Sequence, residues 1–271
     1  MINYKIGFIG MGKMGQAIVK GLLTDRIFPK ANISFFDTNE SLIKQIEADL
    51  GLAALPLTEL ISISDIILIA VKPQNITKLL DQFNKANLTK KLIISILAGT
   101  KIQKFENTLG NSCQIIRVMP NTPILLKHGM SAICYNKNVS PEYRKAAKII
   151  FQNLSEIEEI DESLFDTVTG ISGSGPAFLY RIADNIAELG AEQGLDYNTA
   201  LKLIAQTFVG AGKMLLQKEK TPRELISDVS SPNGTTVAGL DYFNQTSIDQ
   251  EIKKVFQKAI LRSKELASEV L

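Results

Sequence analysis

The 271-residue chain is poor in the groups that acid, base and metal chemistry most often uses. It has one histidine and two cysteines. There is no G-x-S-x-G run, no H-E-x-x-H run, and no carboxylate cluster at metal-ligand spacing, so no metal site is expected. His128 sits in Leu126-Lys127-His128-Gly129, outside any recognisable constellation, and reads as structural. Cys113 and Cys134 lie 21 residues apart and match no zinc or redox spacing, which suits reduced thiols. A surplus of one charge is also missing. Thirty basic residues stand against 28 acidic ones, leaving +2, so neither nucleic acid nor an anionic membrane is an expected partner. Long apolar runs are absent too: Ile66–Val71 and Leu92–Ala98 span six and seven residues. A membrane-crossing helix needs about 20. The chain opens on a strand-like run, Tyr4 to Ile9, with no basic or apolar leader pattern, so no secretory signal is expected. With 45% hydrophobic residues for real cores, a soluble, cytoplasmic globular protein is the expectation.

What is present falls into two halves. Over residues 1–161, short β-branched runs alternate with helical patterns. The runs are Ile6–Ile9, Ile33–Phe36, Asp65–Val71, Leu92–Leu97, Gln114–Val118 and Ser131–Tyr135. Helical patterns cover Gly15–Leu23, Glu40–Leu50 and Asn75–Lys85. Continuous rather than alternating hydrophobicity means strands covered on both faces, as in a parallel sheet flanked by helices. The first half therefore reads as an α/β domain with a Rossmann-like, doubly wound parallel sheet. Over residues 162–271 strand signals stop. Helix is expected over Ser163–Thr169, Ala177–Gln193, Asn198–Lys218, Pro222–Val229, Thr235–Phe243 and Ser247–Val270. That much helix on so few residues would bury its apolar faces better with a second copy, so this all-helical C-terminal half is expected to be a dimerisation domain.

Gly10-Met11-Gly12-Lys13-Met14-Gly15 is a G-x-G-x-x-G that directly follows a strand and opens a helix, the context such a motif requires. Gly10 permits the tight turn, Gly12 lets the backbone approach a pyrophosphate, and Gly15 lets the helix pack on the strand. Free N–H groups at the helix start face the anion. The next strand ends at Asp37, 22 residues beyond Gly15. A carboxylate there accepts hydrogen bonds from an adenosine ribose and repels a 2′-phosphate. No Arg or Lys occurs in Thr38-Asn39-Glu40-Ser41, so NADH is favoured over NADPH, although a helix-capping role for Asp37 is compatible with this. Ala70-Val71-Lys72-Pro73-Gln74 ends another strand at the edge where ligands sit in open α/β sheets, with a solvated Lys72 as the plainer reading of that side chain. At the following strand end, the small residues Ala98 and Gly99 leave room for a flat ring such as nicotinamide. Asn121, in a loop stiffened by Pro120 and Pro123, offers a donor and an acceptor to a carboxamide. For Arg117 a structural ion pair is the better reading.

In the helical half, Ser230-Ser231-Pro232-Asn233-Gly234-Thr235-Thr236 precedes a helix. Such a turn gathers free N–H groups and hydroxyls in one concavity suited to a small carboxylate, or it is an ordinary capping turn. Gly170-Ile171-Ser172-Gly173-Ser174-Gly175-Pro176-Ala177 is either a loose helix start or a pocket wall. With so few acid and base groups, hydride transfer to an already electrophilic carbon, such as an iminium, is the fitting chemistry.

The order G-x-G-x-M-G, A-V-K-P, S-x-x-A-G, R-V-M-P-N-T-P, S-G-S-G-P-A and S-P-x-G-T-T-x-A-G-L, running from Ile6 to about Ser263, closely resembles the pyrroline-5-carboxylate reductase family. The resemblance implies a Rossmann domain followed by interlocking helical dimerisation domains, with dimers assembling further, for example into decamers. It implies NAD(P)H-dependent reduction of 1-pyrroline-5-carboxylate to L-proline, the last step of proline biosynthesis. Phosphates would lie on Met11, Gly12, Lys13 and Met14. Lys72 to Gln74 with Ala98 and Gly99 would line the nicotinamide side, and Ala70 and Val71 would also contact the cofactor. Ser231, Gly234, Thr235 and Thr236 would hold the substrate carboxylate. The Thr236 hydroxyl would be the hydrogen-bond partner of the ring nitrogen, giving a proton or steering one. The sequence departs from the family at Asn233, where P-G-G-T-T is usual, and at Asp37, where many relatives carry small polar or basic residues.

Two alternatives stand beside this. One is a reductase of the same fold acting on another cyclic imine or a 3-hydroxy acid. The hydroxy-acid version needs a catalytic lysine or histidine on the long helix, and Tyr180 to Gly194 has neither. The other is a catalytically silent relative that binds a nucleotide. Intact Gly10, Gly12, Gly15, Thr235 and Thr236 argue against it.

Overall fold

The computed structural model describes residues 3–83 and 87–269. Its strands are β1 (Ile6–Ile9), β2 (Ile33–Phe36), β3 (Ala53–Ala54), β4 (Ile66–Ile69), β5 (Leu92–Ser95), β6 (Gln114–Met119), β7 (Gly129–Tyr135) and β8 (Ser155–Glu159). The helices between them are α1 (Lys13–Thr24), α2 (Glu40–Leu50), α3 (Leu57–Ile63), α4 (Ile76–Phe83), α5 (Ile102–Leu109) and α6 (Pro141–Gln152). The helical remainder comprises α7 (Phe165–Val168), a π-helical turn at Thr169–Gly173, α8 (Gly175–Glu192), α9 (Tyr197–Gln217), α10 (Pro222–Asp228), α11 (Thr235–Gln245) and α12 (Ile248–Glu269). Two helix ends expected from the sequence, Lys85 and Val270, lie outside the described residues.

The strands form one sheet in the order β3-β2-β1-β4-β5-β6-β7-β8. Every pair is parallel except β6–β7. That exception follows from chain length. Only nine residues, 120–128, join β6 to β7, too few for the dozen or so that a parallel crossover needs. The order reverses between β1 and β4, and such a switch point opens a crevice at the carboxyl ends of the strands.

Both faces of the sheet are covered, as the unbroken apolar runs require. On one face Ile18 and Leu22 of α1, Ile46 of α2 and Ile150 and Phe151 of α6 pack with Ile6 and Phe8 of β1. On the other, Leu60 of α3, Leu80 and Phe83 of α4 and Phe105 of α5 pack with Ile9, Ile67 and Ile69. Gly7 keeps α3 close, since a Cβ there would lie 2.5 Å from a Leu60 methyl. Burying such side chains contributes about 1.5–3 kcal/mol each.

The chain divides into two compact units, Met1–Ser174 with Lys258–Leu271, and Gly175–Gln257. This partition by contacts differs from the 161/162 division expected from the sequence pattern. The reason lies in side chains after residue 161 that pack with the sheet's own unit. Phe165 is wholly buried in its core, Ser263 Oγ donates to Asp166 Oδ1 at 2.7 Å, and Gly170 lies so close to Ile260 that a Cβ would sit 2.4 Å from its side chain.

In the second unit α8 packs on α9. Ala183 and Ala187 are buried, and a Cβ on Gly190 would lie 2.6 Å from that of Ala200. Phe178 meets Phe256 edge-on with ring centres 5.1 Å apart. The small face of α8 is thus used within the chain. Its larger apolar residues Leu179, Ile182, Ile186 and Leu189 are 40–54% exposed. Tyr242 of α11 and Leu203 of α9 are more exposed still. A lone chain therefore leaves this unit's helices with uncovered apolar surface. Among the described residues no helix is long and apolar enough to cross a membrane, and no group of His, Cys, Asp and Glu is placed to hold a metal.

Candidate active site

At the switch point, β1 ends in Gly10, whose φ of +93° an L side chain rarely adopts. Space forbids a side chain as well, because a Cβ would stand 2.8 Å from the Ala70 carbonyl. Gly15 is equally constrained: its Cβ would meet the Gly10 oxygen at 2.5 Å. Gly12, which caps α1, has nothing within 4 Å of the point a Cβ would occupy and so presents open backbone. The first helical bond of α1 is donated by Gln16 to Gly12, leaving the N–H groups of Lys13, Met14 and Gly15 without helical partners. Three glycines thus have the three distinct roles that the motif needs.

The Asp37 carboxylate does two jobs at once. Its Oδ2 accepts the Met11 N–H at 2.7 Å, tying the glycine turn to the end of β2. Its Oδ1 accepts the Asn39 N–H at 2.9 Å. The cap of α2 is Asn39, whose Oδ1 accepts from Ser41 and Leu42. Asp37 therefore steadies the turn before that helix without being its cap. Beside it lies a cleft of about 340 Å³ between the ends of β1 and β2 and the first turns of α4.

Ala70 and Val71 are half-buried at the end of β4, whereas Lys72 and Gln74 are exposed and Pro73 starts a single 3₁₀ turn. Ala98 is half-buried in the next strand exit. Gly99 beside it, at φ +69°, has a packing role as well. Its absent Cβ admits Leu266 and Ala267 of α12, at 3.2–3.4 Å.

Asn121, expected to meet a carboxamide, also has partners within the chain. It is buried, its Nδ2 donates to the Ser172 carbonyl at 3.1 Å, and its Oδ1 accepts the Met130 N–H at 2.8 Å. These bonds tie the loop after β6 to the π-helical turn and to β7, and leave one N–H and one carbonyl lone pair of the amide for another partner. Arg117 is the structural ion pair the sequence favours. It is 3% exposed, bonds Glu162 Oε1 at 3.1 Å and stacks on Phe165 at 4.7 Å. The same Glu162 oxygen accepts the Ile102 N–H at 2.7 Å. Sequence reasoning misses Glu162, which nothing short of the fold brings to β6.

His128 is exposed in the loop before β7. Both cysteines are free and buried. Burial pushes both thiols up, that of Cys134 to about 12, aided by Glu162. Neither is a ready nucleophile.

In the second unit, Ser230 to Gly234 fold into a turn closed by a Gly234 N–H to Ser231 carbonyl bond of 3.0 Å. Asn233 sits at φ +61°, a left-handed conformation that asparagine tolerates better than most residues. A Cβ on Gly234 would lie 2.7 Å from Ser231 Oγ and 3.0 Å from the Ser231 carbonyl oxygen, so a side chain there would crowd the turn. Gly234 caps α11 with no side-chain cap, and Ala238 is the first residue to bond back. The N–H groups of Thr235, Thr236 and Val237 therefore lack helical partners, beside the hydroxyls of Ser231, Thr235 and Thr236. A carboxylate would find donors and the positive end of a helix there.

A family model described as pyrroline-5-carboxylate reductase dimerisation matches residues 162–266, and one described as NADP oxidoreductase, coenzyme F420-dependent, matches residues 5–99. The chain is 37% identical over 271 residues to the pyrroline-5-carboxylate reductase of Methanosarcina acetivorans, covering 100% of this chain and 99% of that one. It is 33% identical over 268 residues to pyrroline-5-carboxylate reductase 1 of Bacillus subtilis, covering 98% and 90%. Among solved structures, the Plasmodium falciparum pyrroline carboxylate reductase with NADP bound is similar at TM-score 0.89 and 32% identity, over 98% of this chain and 99% of that one. The Coxiella burnetii enzyme gives TM-score 0.89 at 27% identity, with the same coverage. Likeness that spans both halves in full, at more than a third identity to one relative, means that the chain belongs to the pyrroline-5-carboxylate reductase family.

Proposed function

We propose that the chain reduces 1-pyrroline-5-carboxylate to L-proline with its own two sets of donors in fixed roles. The observation that carries this is the presence in one chain of a complete dinucleotide turn at Gly10, Gly12 and Gly15 and an uncapped α11 preceded by Ser231 and Gly234. A bound reduced nicotinamide would supply the hydride that the imine carbon accepts. The N–H groups of Met14 and its neighbours in the first turn of α1 would hold the pyrophosphate. Asp37 would accept the ribose hydroxyls on its free lone pairs, favouring NADH. Lys72 to Gln74 and Ala98 would line the nicotinamide side, with Ala70 and Val71 against the cofactor. Gly99 and the remaining donor and acceptor of Asn121 would complete this shell.

The Ser231–Thr236 turn would bind the substrate carboxylate through the N–H groups and hydroxyls at the start of α11. The Thr236 hydroxyl would hydrogen-bond the ring nitrogen, which takes one proton as the C=N bond becomes CH–NH. Because the iminium carbon is already electrophilic, orientation supplies much of the rate and no histidine is required. The dimerisation region and the exposed apolar residues of α8 support a homo-oligomer, and assembly beyond a dimer, such as a decamer, is part of the proposal. Two buried, unpaired thiols suit a reducing compartment, hence the cytoplasm.

Oxidation of NADH and of NADPH, followed by loss of dihydronicotinamide absorbance with racemic 1-pyrroline-5-carboxylate, tests the reading. Turnover is expected with both and faster with NADH. Bound cofactor with no turnover would point to a different imine or to a silent relative.

A further inference from the structure

The cleft beside Asp37 has a second charged wall that the sequence does not show. Asp37 and Thr38 line one side, and Asn75, Lys78 and Gln82 line the other. Lys78 and Gln82 lie one turn apart on α4 and so share a face. The strand order puts them there. With β1 between β2 and β4, the helix that follows β4 stands over the end of β2. A residue 41 positions beyond Asp37 thereby becomes its neighbour across a gap. Lys78 is exposed, and among the described residues its ammonium makes no hydrogen bond or ion pair. Asp37, by contrast, is pinned by two backbone N–H groups. An anchored carboxylate and an unpaired ammonium thus face one space without touching.

We infer that Lys78 is the residue through which this chain accepts a 2′-phosphorylated adenosine, so that cofactor choice is a contest between Asp37 and Lys78. The inference rests on reading this cleft as the adenosine end of the cofactor site. The segment directly after β2, Thr38-Asn39-Glu40-Ser41, offers no cation, and a 2′-phosphate dianion needs one to offset Asp37. A flexible lysine on the facing helix can reach a phosphate when one is present and remain solvated when the ribose carries only hydroxyls. NADH would then bind with little help from Lys78, while NADPH binding would depend on it.

The full-length chain and its Lys78→Met variant should be titrated at low salt with NADPH and with NADH, following dihydronicotinamide fluorescence. Adenosine 2′,5′-bisphosphate and adenosine 5′-monophosphate serve as competitors without a redox end. Lys78→Met should weaken NADPH and the bisphosphate about 3- to 10-fold, the range for an exposed, salt-screened contact with a dianion. NADH and the monophosphate should stay within about twofold, and Lys78→Arg should retain NADPH binding. The loss should shrink as salt is raised. Equal effects on both cofactors, or none on either, would overturn the role of Lys78 while leaving the cleft as a nucleotide site. If the unmodified chain binds neither nucleotide, the reading of the cleft fails and the inference with it.

Discussion

Replacing Asp37 by asparagine separates its two jobs. The substitution keeps one carbonyl oxygen where the carboxylate serves two backbone N–H groups, at 2.7 Å from Met11 and 2.9 Å from Asn39. Met11 is wholly buried and Asn39 is exposed, so the retained oxygen will serve Met11 and leave Asn39 to water. The stability cost is then the difference between a charged and a neutral acceptor, about 1 kcal/mol. For a chain of this size that lowers the melting temperature by about 2–4 °C. Removing the charge also removes repulsion of a 2′-phosphate. A carboxylate and a dianion about 4 Å apart repel by roughly 2 kcal/mol at the dielectric of water, less after salt screening. The NADH-to-NADPH affinity ratio should therefore move toward NADPH by about tenfold. Thermal unfolding without nucleotide reads the first effect, and separate titrations with the two cofactors read the second. An unchanged melting curve would show that Asp37 does not hold the glycine turn. An unchanged ratio would show that it does not read the ribose.

Thr236→Val should lower kcat/KM for 1-pyrroline-5-carboxylate by roughly one to two orders of magnitude, with cofactor affinity unaltered; equal kinetics would remove the hydroxyl from the mechanism. Gly10→Ala combines φ +93° with a Cβ 2.8 Å from the Ala70 carbonyl, so it should cost about 1–3 kcal/mol or more in unfolding and abolish nucleotide binding. Asn121→Ala leaves the Ser172 carbonyl and Met130 N–H without their partner and should destabilise by about 1–3 kcal/mol, seen as an earlier denaturant midpoint. Both cysteines should resist iodoacetamide in the folded chain at neutral pH, because their burial keeps the thiols protonated; rapid labelling would contradict the packing around β6 and β7.

Where hydrophobic continuity and punctuation agree, the sequence alone locates the elements. β1, β2 and α2 fall where their residues indicate, because β-branched runs and the Asn39 and Gly51 caps mark both ends. Five elements escape that reading. β3 is two residues long, and α3 and α5 are seven and eight, too short for a periodic signal. β8, Ser-Glu-Ile-Glu-Glu, is an edge strand whose charges suppress strand propensity while keeping that edge from pairing with other chains. The start signal of α6, Ser140 with Pro141, gains its meaning only once the strands on either side are placed. In the site, glycine chemistry is legible because backbone conformation is written in residue type. Tertiary partners are not: in the sequence Asn121 reads as free to bind a ligand, and Lys78 as one more surface lysine. The β2-β1-β4 order brings Lys78 to Asp37, and the π-helical turn and β7 each take one end of the Asn121 amide.

The most direct test of the account follows the hydrogen itself. The chain should be incubated with 1-pyrroline-5-carboxylate and nicotinamide cofactor carrying deuterium on both reactive positions, and the products resolved by chiral chromatography and mass spectrometry. The account predicts L-proline bearing one deuterium on the ring carbon next to nitrogen that lacks the carboxylate, formed in step with cofactor oxidation. Cofactor oxidation without labelled proline, or no consumption of either reactant by protein that binds the cofactor, would contradict it.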